Sequence, residues 1–214
     1  MKPILIVGAG GFAKEVKCLI DKINSVEPVW NLLGFVDDWG KPKGDIVFDG
    51  YSIWGNLNDL NAYEKEISLV IALGNPLWIK EVVDKVNNPL VSYPNLVHPN
   101  VEIHSSVKLG IGNIVTFGNF ISCDVKIGNY NIFNIKCAVG HDTIIGSYNL
   151  FNPNVQISGS VKIGDCNFWG VNSLILQGKV VGNENKIGAS TLIVKSIKNN
   201  SFYFGVPGKK QVLI

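Results

Sequence analysis

Three histidines stand in the 214-residue sequence, His98, His104 and His141, and one of them sits beside an acid in Gly140-His141-Asp142. A neutral imidazole near pH 7 is suited to take a proton from a nucleophile. A carboxylate at its other nitrogen holds the ring in the useful tautomer. Adjacent residues in an extended strand point apart, so pairing His141 with Asp142 requires a turn at 140–142. His98 precedes Pro99 and reads as shaping a junction between two segments. A second chemical signal is Gly8-Ala9-Gly10-Gly11-Phe12-Ala13, which follows the apolar run PILIVG. Bare backbone amides at the start of a helix suit a phosphate. The same glycines can also make a turn that binds nothing.

Composition narrows the chemistry. Hydrophobic residues make up 46% and charged residues 17%, a core-forming balance. Net charge is +2 with pI about 8.3, too mild for a nucleic-acid footprint. All 19 basic residues are Lys, so phosphates must be held by amides, Lys or hydroxyls without a guanidinium fork. Cys18, Cys123, Cys137 and Cys166 form no CxxC pair, which argues against a zinc site and for small buried residues in a reducing compartment. The N-terminal MKPILIVGAGG lacks a secretory cleavage site and reads as a first strand, and no apolar run is long enough to span a membrane. A cytoplasmic location is expected.

The second half must supply the frame for His141. Gly110, Gly128, Gly146, Gly164 and Gly182 recur every 18 residues, each after an aliphatic residue. Eighteen is three sixes. At a spacing of six, every position from Val97 through Ile145 to Ile193 is apolar, including Phe133, Phe151 and Trp169. At this composition chance produces such a run about once in a million. Asn113, Asn131, Asn149, Asn167 and Asn185 form a second ladder at the same 18-residue period. Asn tolerates left-handed turns and stacks in hydrogen-bonded ladders. The pattern predicts a parallel β-helix of three short strands per coil, one inward apolar residue per side. The residue stacked on His141 is then Gly159.

The first ninety residues read differently. PILIVG is a buried strand, and a helix is expected over 13–23. WNLLGFVDD is a second strand ending in Asp37-Asp38, where acids hold a ribose or base edge or lie in a solvated turn. Residues 44–54 resemble a hairpin. SLVIALG leads through Gly74-Asn75 to a helix from Pro76 to Val86, with Pro in the first turn. This is half of a dinucleotide fold, so a mononucleotide rather than NAD is its natural ligand. The expected architecture is a small α/β Rossmann-like half domain over 1–95, a β-helix over 96–195 and a C-terminal tail over 196–214.

GAGGFAKEV, WNLLGFVDD, ALGNP, NLVHPNV, VGHDTIIG, QISGSVKIG and GVPGK together resemble the hexapeptide-repeat sugar acetyltransferases. The chain looks like the sialic-acid O-acetyltransferase type and the N-acetyltransferases of nucleotide-linked 4-amino sugars. The resemblance implies a left-handed β-helix, a homotrimer with active sites between neighbours, and acetyl-CoA as co-substrate. It makes His141 the general base, helped by Asp142. It carries the CoA contacts to Gly159, Gly170, Gly188 and Ala189, and to Gly205, Pro207 and Lys209 in the tail. It carries the nucleotide-linked sugar to Gly8, Gly10, Gly11, Phe12, Asp37, Asp38, Gly74 and Asn75, with no metal. Many relatives have His where this chain has Phe12 and Leu150, so the sugar is expected to differ from theirs. The implied function is N-acetylation of a nucleotide-linked amino sugar for surface-glycan synthesis. The alternatives are O-acetylation of a sialic acid or other sugar, and a non-catalytic binding protein on the same frame.

Overall fold

The computed structural model describes residues 1–211, so the last three residues of the expected tail lie outside the described residues. Contacts divide the chain into two compact units, Met1–Pro99 and the segment from Asn100 onward.

In the first unit, β1 (Lys2–Val7) leads to α1 (Gly11–Asn24), then β2 (Trp30–Val36) and a hairpin of β3 (Ile46–Phe48) and β4 (Tyr51–Gly55). A short α2 (Leu57–Asn61), β5 (Ile67–Ile71), α3 (Pro76–Lys85) and β6 (Val91–Ser92) complete it. The strand order is β3-β4-β2-β1-β5-β6, with only the hairpin antiparallel among these pairings. Ile4 to Val7 and the whole of β5 are buried, as expected of parallel strands covered on both faces. From β1 the chain crosses to β2 on one side, and from β5 it crosses to β6 on the other. Right-handed crossovers then put α1 and α3 on opposite faces and leave a crevice at the carboxyl ends of β1 and β5.

The helix α1 buries Ala13, Val16, Leu19 and Ile20, a three-and-four spacing that makes one apolar face. Lys17 is buried on that helix as well. Its ammonium bonds to Asp21 one turn on and to Asp49 at the hairpin tip, and lies 5.6 Å from the Tyr51 ring centroid. Those two carboxylates, Asp21 foremost, raise its pKa above the ordinary lysine range. The hairpin expected at 44–54 is thereby fastened to α1. Short α2 was not anticipated.

The second unit consists of two-residue strands spaced by six. They stack in three columns. The first runs from Ile114–Val115 to Lys186–Ile187, the second from Glu102–Ile103 to Leu192–Ile193, and the third from Lys108–Leu109 to Val180–Val181. Lys126 pairs with Lys108 below and Ile144 above, a step of 18 each way. Every hexad residue from Val115 to Ile193 is buried, while Val97, Ile103 and Leu109 at the start of the column are half-buried. Phe133, Phe151 and Trp169 stack along the axis at 4.7 and 6.0 Å. The coil is the left-handed parallel β-helix that was expected.

The predicted asparagine ladder is present. Asn131, Asn149, Asn167 and Asn185 each donate from Nδ2 to the Oδ1 of the Asn one coil earlier, at 3.0–3.1 Å. Each of those oxygens also accepts the backbone N–H of the next Asn at 2.9 Å. All are buried, so their polar groups are satisfied inside the core. Beyond the coil, Phe202–Phe204 pairs parallel to Lys186–Ile187, and Lys209–Gln211 folds back antiparallel to it. Cys137 and Cys166 are buried as expected, but Cys18 is exposed and Cys123 half-buried, because α1 turns Cys18 off its apolar face.

Replacing Asn149 by Ala removes the middle of the ladder: Asn167 N–H and Nδ2 lose the Oδ1 they donate to, and Gly164 O loses its side-chain donor. A loss of about 2 kcal/mol or more is expected from the unsatisfied buried groups, read as a lower urea midpoint with unchanged slope.

Candidate functional site

The turn that the sequence required at His141 is formed. Asp142 has φ 57, in the left-handed region, and its N–H donates to Cys123 O at 3.2 Å. His141 O accepts from Ser160 N–H at 2.7 Å. The turn brings His141 Nδ1 to 2.7 Å from Asp142 Oδ2, with both side chains about half exposed. A carboxylate only accepts, so this contact favours the neutral tautomer with its proton on Nδ1 and its lone pair on Nε2. Gly159 stacks over this ring. A Cβ built on Gly159 would stand 2.6 Å from His141 Nε2 and 2.7 Å from Cε1, so the imidazole lies directly against bare backbone. Gly140 is equally tight: a Cβ there would lie 2.5 Å from Gly159 N. A cavity of about 390 Å³ opens beside Asp142, lined by Ser106, Lys108, Asp124, Lys126 and Ile144.

Gly170, Gly188 and Ala189 also come together. A Cβ on Gly170 would stand 2.5 Å from Ala189 N and 2.7 Å from Gly188 C. This group does not join His141. His141 and Gly159 follow strands of the second column, whereas Gly170 and Gly188 follow strands of the first. The two groups occupy two different corners of the triangular coil. The Gly170 corner carries an exposed apolar stripe, Phe117, Ile135 and Val171, spaced by 18 or 36 residues. Gly205 in the tail has φ +102, donates to Thr191 Oγ1 and accepts from Leu192 N–H. Pro207 and Lys209 line a cavity of about 320 Å³ with Lys195, Ser196 and Tyr203.

The other two histidines are placed apart from this turn. His98 is buried, and that burial, with Lys22 nearby, lowers its pKa. His104 Nδ1 is 3.0 Å from Ser106 Oγ and closes its own turn.

In the first unit, Val7, Val36 and Ile71 are in register, so the loops after β1, β2 and β5 start level. Gly8 serves the fold. Its N–H donates to Val36 O, its φ is +105, and a Cβ would meet Ala72 O at 2.8 Å. Gly10 and Gly11 are different, because no atom lies within 4 Å of a Cβ built on either. Gly10 caps α1 with no side-chain bond, and the first turn holds no acid. Open amides and a positive helix end remain there. Phe12 beside them is half-buried.

Both expected acids have structural work. Asp37 Oδ2 accepts from Trp39 N–H and Lys41 N–H at 3.2 and 2.9 Å, and Asp38 Oδ1 accepts from Leu57 N–H at 2.9 Å. Asn75 caps α3 by accepting from Leu77 N–H, and Gly74 before it is exposed. Leu150, where relatives often carry His, is buried. The sequence reading did not single out Trp39 and Trp78, two half-exposed indoles near these loops, or Lys195. An outward Trp in a loop after a strand was the available signal.

The family profile described as the PglD N-terminal domain matches residues 3–86. No curated protein sequence matches the chain. Among solved structures, the acetyltransferase domain of PglB from Neisseria gonorrhoeae with acetyl coenzyme A superposes with TM-score 0.87 at 22% identity, covering 98% of this chain and 99% of that one. A perosamine N-acetyltransferase from Caulobacter crescentus, a histidine-to-asparagine mutant with CoA and GDP-perosamine, gives 0.86 at 24%, covering 99% and 98%. WeeI from Acinetobacter baumannii gives 0.88 at 24%, covering 99% and 100%. Residues 3–86 thus match the PglD N-terminal domain profile, and the chain shares the fold of these acetyltransferase structures, a small α/β domain followed by a left-handed β-helix.

Proposed function

We propose that this protein transfers an acetyl group from acetyl-CoA to the amine of a nucleotide-linked amino sugar, with His141 as general base, in surface-glycan synthesis. The observation that carries the reading is the His141–Asp142 bond set against the bare backbone of Gly159. An N–H-loaded Nδ1 leaves Nε2 to accept the proton that the sugar amine loses as its N–C bond forms, and to return it to the sulfur as the thioester C–S bond breaks and CoA leaves as the thiol. Asp142 fixes that tautomer and steadies the imidazolium that results. The Gly159 amide, with no side chain over it, is the donor suited to the developing oxyanion. Acetyl-CoA, when bound, supplies an activated thioester acyl group. The residues present fit it: Gly170 lets the Gly188–Ala189 backbone close directly on it, the Phe204 ring packs on Gly188, the small exposed Ala189 keeps the surface there low, and Lys195 and Lys209 offer cations in place of arginine. The polar cavity beside Asp142 offers room for the acceptor. The relatives with CoA and a nucleotide-linked amino sugar support the same substrates, and a histidine is the residue replaced in the Caulobacter protein.

The separation of the two corners supports an assembly of copies, which we take to be the homotrimer that the resemblance implies. One chain holds its base at one corner and its shelf of Gly170 and Ala189 at another. A neighbouring copy has to bring its shelf to the base if both are to serve one thioester. The apolar stripe of Phe117, Ile135 and Val171 beside the shelf offers the surface such a contact would bury.

A CoA-release assay against nucleotide-linked 4-amino and hydroxy sugars tests the reaction. Turnover with the amino sugars is expected; turnover with the hydroxy sugars alone makes the protein an O-acetyltransferase, and turnover with none leaves a binding protein. His141→Ala should lower kcat about 10²–10⁴-fold with acetyl-CoA affinity little changed. Full activity in that variant removes the general base.

A subunit-mixing experiment tests the shared site. Ala189→Trp places bulk on the exposed shelf, and His141→Ala removes the base. Each inactive alone, the two should recover measurable activity when refolded together, since mixed trimers contain one intact site. No recovery would put both corners to work within a single chain.

Glycine substitutions separate structure from substrate in the first domain. Gly8→Val should unfold it, because φ +105 and the Ala72 carbonyl exclude a side chain. Gly10→Val should leave the melting temperature near that of the parent, because the space is open. It should still raise KM for the nucleotide sugar and spare KM for acetyl-CoA. An unchanged sugar KM would count against a phosphate at this turn.

A further inference from the structure

Two indoles of the first domain have no part in its core. Trp39 is 48% and Trp78 49% exposed, whereas Trp30 is 8% exposed. Side chains of this size normally hide their apolar surface, so a pair left in water is a cost that calls for an occupant. The two rings stack on one another, with centroids 6.4 Å apart and planes 27° from parallel.

Their origins fix where that pair stands. Trp39 lies three residues beyond the end of β2, and Trp78 lies in the first turn of α3, after β5. The strands β2 and β5 flank β1, and all three end in register. At about 4.8 Å per strand, β2 and β5 are roughly 10 Å apart. Two indoles that start on opposite sides of β1 and meet must therefore span the crevice outside the Gly8–Gly11 turn. Their backbones are held in advance. Asp37 accepts from the Trp39 N–H, and the Asn75 cap fixes the turn that carries Trp78. Asp38 is tied at Oδ1 to α2 in the same loop cluster.

A flat apolar wall, carboxylates at its foot and an uncapped helix start beside it match one class of ligand by parts. The wall suits an aromatic ring, the acids suit ring N–H or ribose hydroxyls, and the open amides of α1 suit a phosphate. We propose that Trp39 and Trp78 form the platform on which the nucleobase of the nucleotide-linked sugar stacks, an inference that rests on the nucleotide reading of this domain. Stacking tolerates every base, so the platform supplies affinity, and the carboxylates choose among bases.

Calorimetric titration with UDP, dTDP, GDP and inorganic pyrophosphate tests this on the full chain and on Trp39→Ala, Trp78→Ala and Trp39→Phe. Each alanine variant should lose about 5–100-fold in affinity for the nucleoside diphosphate that the parent binds, the range alanine substitution removes from base stacking. Trp39→Phe should keep most of it. Pyrophosphate, which has no base, should bind all four proteins alike, and KM for acetyl-CoA should not move. Parent-like diphosphate affinity in both alanine variants would overturn the platform while leaving the nucleotide reading intact. Equal losses for pyrophosphate and nucleoside diphosphate would overturn it too, as a general disturbance of the loops. A parent that binds no nucleoside diphosphate would overturn the platform and the nucleotide reading together.

Discussion

Everything in the second unit depends on one constraint: each coil hydrogen-bonds to the next at a fixed step of 18 residues. Gly140 N–H donates to Ile157 O, Gly146 N–H to Ile163 O and Gly164 N–H to Val181 O, all at 2.8–2.9 Å. A residue's neighbours in space are thus set by arithmetic on its number. The step places Gly159 over His141, and it places each ladder Asn over the last. It also explains why the ladder is polar. The turn before each of these positions leaves a carbonyl that needs a donor, and the Asn amide reaches it, as Asn131 Nδ2 reaches Gly146 O at 2.9 Å. A buried apolar residue there would leave that oxygen unpaired.

The periodicity made this half of the fold legible in the sequence. A hexad sustained over so many repeats has no alternative secondary structure that keeps every apolar residue inside. The pairing of His141 with Gly159 came from the same count. The division into two corners obeys the same arithmetic. Trp169 minus Val139 is 30 residues, one coil plus two further columns, so Gly170 cannot share a corner with His141. In the first unit the strands and two longer helices were readable from apolar runs and glycines. The division of labour among the glycines was not. Gly8 and Gly10 look alike in sequence, and only the Ala72 carbonyl beside one and open space beside the other separate them. The same holds for Asp37 and Asp38, whose bonds to Lys41 and Leu57 depend on how the loop closes. The Trp39–Trp78 contact joins residues from different loops, and no local pattern announces it.

The absence of arginine limits how this chain could hold a phosphate. Without a bidentate fork, a phosphate is met by amides in fixed directions or by a Lys point charge. The first unit offers amides, at Gly10 and Gly11, and its buried lysine is already committed to Asp21 and Asp49. The tail offers lysines, at 195 and 209. Neither arrangement offers the bidentate fork of a guanidinium, so under the proposed function recognition draws on other surface: the rings of Trp39 and Trp78 in one unit and the closely stacked Gly170 and Ala189 in the other.

The site itself adds little to what the frame already contains. Left-handed backbone at a residue other than Gly costs about 1 kcal/mol or more. Yet Asp124, Lys136, Asn154, Ser160 and Asn172 all adopt it, at φ 57–62, at the same phase of the hexad as Asp142. The coil meets that cost at corner after corner through its stacked backbone bonds and buried hexads. The turn that swings Asp142 Oδ2 onto His141 Nδ1 is therefore the ordinary corner of this β-helix. What distinguishes it is side-chain identity: a His one residue before the left-handed position, an acid at that position, and a Gly one coil later. A His–Asp pair built this way needs no local strain of its own. Its precision comes from coils stacked above and below, which makes the rigidity of the column the means by which a half-exposed imidazole keeps one orientation.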